Sequence, residues 1–397
     1  MNDDPSKDRV YDRLRIRIIF AFKKIYADFS KLFVEGYHNV VTTLLSRGPQ
    51  NRFFPSDIEN AVKLFVVIVP EVNVVGGGIL SLFSISKQLR LTKPTHLREV
   101  VVMTRPQLSF ISKTYFRNTN FRNDENVFRF SQIGRCKYLS ELDIFIPEYA
   151  CSQFVKSINP AELRFLERIR NLKIVILNQN IELMPSTKEI ASLRLLTNDI
   201  RMSVGHHAYC KQSVANKYGL PTLLVPAFID ISFRPPTQFE EKKKLIIYSP
   251  DENAAKQRCL AEISKALPEF ELREIRNVSF ETYVELATQC MFSVTFGEGF
   301  DGYFIQPMQQ GGVGFAVYNA TFFPEWVKAG GVNLFESYEA MIAKIGSAMT
   351  TLAANPIRYK IENKKWLKII DPLYGRDDFR LRIVKLAKAE HDFIPQP

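Results

Sequence analysis

The sequence predicts an α/β protein of two Rossmann-like, doubly wound domains facing across a cleft, with a basic amphipathic helix ahead of them. Three observations predict the two domains. The chain has 397 residues, more than one hydrophobic core usually supports. Apolar strand-length runs and helix-spaced segments alternate in two successive sets, the pattern of parallel strands covered by helices. Between the sets lies Thr237-Gln-Phe-Glu-Glu-Lys-Lys-Lys244, polar, charged and preceded by Pro235-Pro236, which is linker chemistry.

The elements follow in chain order. Residues 9–32 carry Arg9, Arg13, Arg15, Arg17, Lys23, Lys24 and Lys31 against only Asp12 and Asp28. Tyr11, Leu14, Ile18, Phe22, Ile25, Phe29 and Leu32 recur there at helical spacing, which predicts a basic amphipathic helix. Such a helix lies in an anionic membrane interface or covers the following domain with its apolar stripe, and the sequence leaves both open. A loop at Ser46-Arg-Gly-Pro-Gln50 ends the extension, 1–50. The first domain spans 51–235. Its expected strands are 63–69, 99–104, 142–146, 172–177, 200–204 and 221–227, and its helices 80–89, 160–171, 187–196 and 206–218, the last stopped by Gly219. The second domain spans 236–355, with strands 245–248, 270–275, 291–296 and 313–318 and helices 254–267, 280–290 and 301–310. Residues 356–397 read as helices carrying Trp366, Leu367, Ile369, Ile370, Phe379, Ile383 and Leu386, which pack back across the domains.

Composition bounds the class. The chain is 46% hydrophobic and 24% charged with a formal net charge of +11, compatible with phosphorylated substrates, polyanions or anionic lipid. No uncharged apolar run is long enough to span a bilayer, and no signal-peptide pattern opens the chain, which predicts a cytoplasmic protein, peripheral on the membrane if the basic helix docks there. Cys136, Cys151, Cys210, Cys259 and Cys290 are odd in number and lack C-x-x-C spacing, so they read as reduced thiols and neither a disulfide frame nor a zinc site. The charge sits mainly in one helix without a recurring basic-aromatic platform, so no nucleic-acid partner is expected.

The richest segment is Phe296-Gly-Glu-Gly-Phe-Asp-Gly-Tyr-Phe-Ile-Gln-Pro-Met308. It puts Glu298 on a glycine-flanked turn between a strand and a helix, at a sheet's carboxyl edge, where free N–H groups of a helix start favour an anion. Gly297, Gly299, Phe300, Asp301, Gly302, Tyr303 and Gln306 belong to the same candidate site. A second glycine turn, Gly76-Gly-Gly78, follows the first strand; it is neither Gly-x-Gly-x-x-Gly nor a Walker loop. Lys256 and Arg258, at the start of the helix after Tyr248-Ser-Pro-Asp-Glu252, are candidates to face phosphate, or are simply exposed bases. His206 and His207 follow a strand and lack a partner at metal-ligand spacing; His206 can polarise a donor or an acceptor hydroxyl. Gln179 and Asn180, at another strand end, can hydrogen-bond a sugar. No Asp-x-Asp occurs, and no metal or other cofactor is expected.

Three segments in register, spanning most of the chain from about residue 60 onward, give the sequence a resemblance to the two-Rossmann-domain (GT-B) glycosyltransferases, and within them to the retaining nucleotide-sugar enzymes of family 4. Glu298-Gly-Phe-Asp-Gly-Tyr-Phe-Ile-Gln306 is similar to the family's Glu-x7-Glu motif. The resemblance implies that Glu298 contacts the donor sugar and that Gln306 stands where a second acid holds the ribose hydroxyls; a Gln accepts and donates but brings no charge. Pro226-Ala-Phe-Ile-Asp-Ile-Ser-Phe-Arg-Pro235 looks like the strand-to-linker segment, with Asp230 a turn-former and Ala227-Phe228 replacing the usual Asn-Gly. Val74-Val-Gly-Gly-Gly-Ile-Leu-Ser-Leu-Phe-Ser84 is similar to the glycine loop of the N-terminal domain.

The resemblance implies a metal-independent glycosyltransferase that retains configuration. It would move a sugar from a nucleotide-diphosphate donor, held by the second domain, to a hydroxyl of a glycan or lipid-linked acceptor in the first, in surface polysaccharide or lipid-linked glycan synthesis. A nucleotide-sugar 2-epimerase shares the architecture. A non-catalytic sugar-nucleotide sensor or scaffold would fit the departures at Gln306 and Ala227-Phe228.

Overall fold

Two parallel sheets carry the described chain. The computed structural model describes residues 54–70, 76–92, 98–105, 127–276 and 278–396. The expected basic helix over 9–32, with the rest of the 1–50 extension, lies outside them. The first sheet contains β1 (Lys63–Val69), β2 (Arg98–Thr104), β3 (Val127–Arg129), β4 (Glu141–Pro147), β5 (Asn171–Asn178), β6 (Ile200–Val204) and β7 (Thr222–Leu224), in the order β3-β2-β1-β4-β5-β6-β7. The second contains β8 (Lys243–Tyr248), β9 (Glu271–Glu274), β10 (Cys290–Val294), β11 (Val313–Val317) and β12 (Leu334–Phe335), in the order β12-β11-β10-β8-β9. Every ladder is parallel. The central strands earn their place by composition. β1 is Lys-Leu-Phe-Val-Val-Ile-Val with six of its seven residues buried, as a strand covered on both faces requires.

Sequence order reverses between β1 and β4 in the first sheet and between β8 and β10 in the second. Such reversals open crevices at the carboxyl ends of strands, where ligands bind. Both sheets belong to one compact unit, and one apolar cluster joins them: Phe65, Val67 and Val102 from the first, Leu245 and Ile247 from the second, with Ile229 and Ile231 from the connection. The C-terminal helices complete it. Helix Pro356–Tyr374 covers the second sheet, where Trp366 Nε1 donates to Asn333 Oδ1 at 3.0 Å. Helix Arg376–Lys388 lies on helix Gly77–Thr92 of the first, with Phe379 stacked on Phe228 at 4.7 Å. Among the described residues no helix is long and apolar enough to cross a membrane.

Two expectations need correction, and one helix was not expected. The strand over 221–227 shrinks to Thr222–Leu224, because Pro221 and Pro226 have no N–H to give a ladder. The helix over 206–218 is a 3-10 turn, His207–Tyr209, then extended backbone at Lys211, then helix Gln212–Tyr218. The long helix Tyr338–Ala353 has no counterpart in the sequence reading; it packs on helix Lys256–Ala266.

Candidate active site

The two crevices open onto each other. Two adjoining cavities of about 140 and 220 Å3 lie there, and Gly77, Gly78, Ile229, Glu298, Asp301, Gly302 and Gln306 line both. On the second sheet's side, β10 leaves at Thr295 and turns through Gly297-Glu298-Gly299 into helix Gly302–Gln309. The turn is fixed from within. Asp301 caps the helix, its Oδ1 accepting from Tyr303 N at 2.9 Å and Phe304 N at 3.2 Å, while Thr295 Oγ1 donates to its Oδ2 at 2.5 Å. The expectation that this helix start offers free N–H groups to an anion is thereby corrected, since Asp301 already occupies two of them. Gly299 has φ +87°, and a Cβ there would lie 2.7 Å from Val317 O. Only glycine takes that conformation without strain.

Glu298 is touched by polar groups from the first sheet's side. Asn180, just beyond β5, donates from Nδ2 to Glu298 Oε1 at 3.1 Å. His206, just beyond β6, places Nε2 3.7 Å from Glu298 Oε2. His206 is boxed by Tyr209 and Phe322, with ring centroids at 5.5 and 5.6 Å, and its Nδ1 meets Tyr374 Oη at 3.4 Å. Tyr374 closes helix Pro356–Tyr374 and lines the smaller cavity, so the segment after the second sheet reaches the site. Opposite Glu298, helix Gly77–Thr92 begins inside the glycine triplet, with no acidic residue in its first turn.

The electrostatics are unusual for a phosphate site. Burial, together with Asp301, Asp251 and Glu148, pushes the Glu298 carboxyl up to about 8. Burial raises Glu148 to about 7, and it raises Asp301 to about 6 against the opposing bond from Thr295. Burial and the neighbouring His207 lower His206 to about 4. At neutral pH the contact between Glu298 and His206 therefore joins a carboxylic acid to a neutral imidazole, not two charges. Among the described residues no lysine or arginine lines either cavity.

The remaining candidates are distributed as follows. Phe300 lines the smaller cavity and Tyr303 the larger. Gln306 is buried, and Tyr283 Oη donates to its Oε1 at 2.5 Å, so one end of the carboxamide is already engaged. Gly76 lines the larger cavity. Two donor-binding candidates lie outside the linings of both cavities. Lys256 is buried behind the site, paired with Glu274 at 2.8 Å and lying over the Tyr248 ring. Arg258 points outward, 59% exposed, and pairs with Glu339 at 2.8 Å. The helix start turns Lys256 toward β9 and Arg258 toward helix Tyr338–Ala353. Asp230 accepts from Ser232 N and Oγ at 3.1 and 2.7 Å and binds Arg376.

Sequence reasoning missed Asp251, Glu148, Tyr283, Tyr209 and Tyr374. The first two had a usable signal, since each follows a buried strand at its carboxyl end. The tyrosines had none, because nothing local marks a tyrosine that faces a site built from distant segments.

No protein-family model and no curated protein matches the sequence. Solved structures do resemble the fold. Sucrose-phosphate synthase from Thermosynechococcus elongatus matches with a TM-score of 0.52 at 10% identity, over 82% of this chain and 98% of that one. Anabaena HepE in complex with UDP-glucose matches with a TM-score of 0.51 at 10% identity, over 82% and 99%. A glycosyltransferase from Rickettsia africae matches with a TM-score of 0.52 at 9% identity, over 82% and 97%. The chain has the two-domain GT-B architecture of these proteins, with Glu298 and His206 facing each other between its two sheets.

Proposed function

We propose that the protein is a glycosyltransferase that takes a sugar from a nucleotide-diphosphate donor and transfers it to a hydroxyl acceptor. The observation that carries this reading is the Glu298 turn. It ends a central strand of the second sheet, faces the glycine-started helix of the first across a cavity, and does so in a GT-B fold. The start of helix Gly77–Thr92, free of acids, suits the phosphates, and Glu298 with Asn180 suits sugar hydroxyls. Kinship with family 4, retention of configuration, transfer without a metal, and an acceptor in surface polysaccharide or lipid-linked glycan are parts of the proposal. So is membrane docking through residues 9–32.

One observation favours a second reading. Carboxyl groups held near neutrality suit proton transfer, which a nucleotide-sugar 2-epimerase needs; NMR of the sugar after incubation without acceptor separates the two.

Thermal unfolding in the presence of UDP, GDP and dTDP tests donor binding. At a hundredfold excess over Kd, one of them should stabilise the fold by about 2.7 kcal/mol. If none of the three raises the midpoint, the reading is wrong.

A further inference from the structure

Transfer from a nucleotide sugar breaks the bond between the anomeric carbon and a phosphate oxygen, and negative charge gathers on that oxygen. Enzymes meet it with cations or with a proton. Here the described cavity walls supply no lysine or arginine. What they supply is a carboxyl group whose two oxygens are not equivalent.

The inequivalence comes from Asn180. Its Oδ1 accepts from Glu182 N at 2.9 Å, which fixes the amide's orientation and turns Nδ2 toward Glu298 Oε1 at 3.1 Å. A donor aimed at Oε1 leaves the carboxyl proton for Oε2. Nε2 of His206 is 3.7 Å from Oε2, beyond hydrogen-bond reach, so the proton is not committed to the imidazole and remains available to the cavity that Glu298 lines. Tyr374 steadies the ring from its other side.

We propose that Glu298 is the acid that protonates the departing oxygen, with Asn180 positioning the proton on Oε2. The assignment rests on the nucleotide-sugar reading above. As the bond to the anomeric carbon breaks, its electron pair stays on the phosphate oxygen, which takes the Oε2 proton. The acceptor's oxygen bonds the anomeric carbon and gives up its own proton to the Glu298 carboxylate. One C–O bond breaks, one forms, and the carboxyl ends as it began. The groups facing Glu298 keep the proton in place. Asp301 and Asp251 stand on its own side, and Glu148 follows β4. His206 and Tyr209 follow β6, and Tyr374 comes from helix Pro356–Tyr374. None of these is a cation at neutral pH; burial of His206 sees to the imidazole.

The test is kcat for a nucleotide sugar from pH 6 to 9.5, in the full-length wild type, in Glu298→Gln and in Asn180→Ala. In wild type, kcat should fall about tenfold per pH unit above the carboxyl's pKa of about 8. Glu298→Gln should lower kcat by about a hundredfold or more with the donor KM little changed. Asn180→Ala should move the alkaline limb to higher pH, because the amide's bond favours the carboxylate; a structural role for Asn180 would leave the limb where it is. A wild-type kcat flat across the range overturns the assignment without recourse to any variant, and so does a Glu298→Gln loss confined to KM. If no nucleotide sugar binds or turns over at any pH, the donor reading itself falls and takes this assignment with it. Binding and turnover with a flat kcat overturn the assignment alone.

Discussion

His206 Nε2 and Glu298 Oε2 face each other at 3.7 Å, two residues beyond the end of β6 and four beyond the end of β10. Neither is charged at neutral pH, because burial raises the acid and lowers the base. The pair thus joins the two halves of the site without the desolvation cost of a buried ion pair, and Glu298 is left holding a proton.

That proton makes stability depend on pH. Glu298 titrates at about 8 in the fold and near its ordinary 4.5 when unfolded. Between those values the native state holds a proton that the unfolded state lacks, so this group's contribution falls as pH rises through the window. Glu298→Gln removes the dependence. Since 31% of the side chain is exposed, solvent screens part of the effect; the variant should exceed wild type by on the order of 2 kcal/mol at pH 8.5 and match it near pH 4.5. Urea unfolding at the two pH values checks this, and equal stability at both would count against a half-buried, protonated Glu298.

Lys256 and Arg258 should separate cleanly. Lys256 has a side chain only 6% exposed and paired with Glu274, although Arg276 also holds that carboxylate. Lys256→Ala should destabilise by about 2–3 kcal/mol, less than for an isolated buried pair because Glu274 keeps its other partner. Arg258→Ala should leave both the unfolding midpoint and the donor KM unchanged. A donor KM raised tenfold in Arg258→Ala would restore it to the site.

The turn that presents Glu298 depends on Gly299. An alanine would be forced to φ +87° with its Cβ 2.7 Å from Val317 O and 2.9 Å from the Phe323 ring. We expect Gly299→Ala to cost about 2–3 kcal/mol, whereas Gly76→Ala, whose Cβ meets nothing within 4 Å, should unfold with the wild type. The difference in denaturation midpoints between these two variants is the measurement.

Much of this architecture was legible because it is local. β1, β4 and β5 are buried, strand-length runs rich in Val, Ile, Leu or Phe, and β10 is a buried Cys-Met-Phe-Ser-Val, and the glycines around Glu298 mark a tight turn by themselves. Helix Tyr338–Ala353 escaped because its face of small residues reads as weakly amphipathic until its partner is known; Gly346 lies where a Cβ would sit 2.8 Å from Ala266 Cβ. The candidate site was legible in part on both sides, since Gly77, Gly78, Asn180 and His206 were named from the first as well as Glu298 from the second. Asp301 was expected among donor-binding residues, yet its carboxylate is spent capping its own helix. Tyr374 meets His206 across 168 residues of sequence, and such a contact leaves no trace in local spacing. The choice of Glu274 as partner for Lys256 is of the same kind.

The central claim is that this cleft cleaves a nucleotide sugar with Glu298 at the reacting centre. Its most direct test is the release of nucleoside diphosphate from a panel of UDP-, GDP- and dTDP-sugars by the full-length protein at neutral pH, beside Glu298→Gln. The account predicts release from one donor, slow with water alone and lowered about a hundredfold or more in the variant. Release from none, or equal release by wild type and Glu298→Gln, would contradict it.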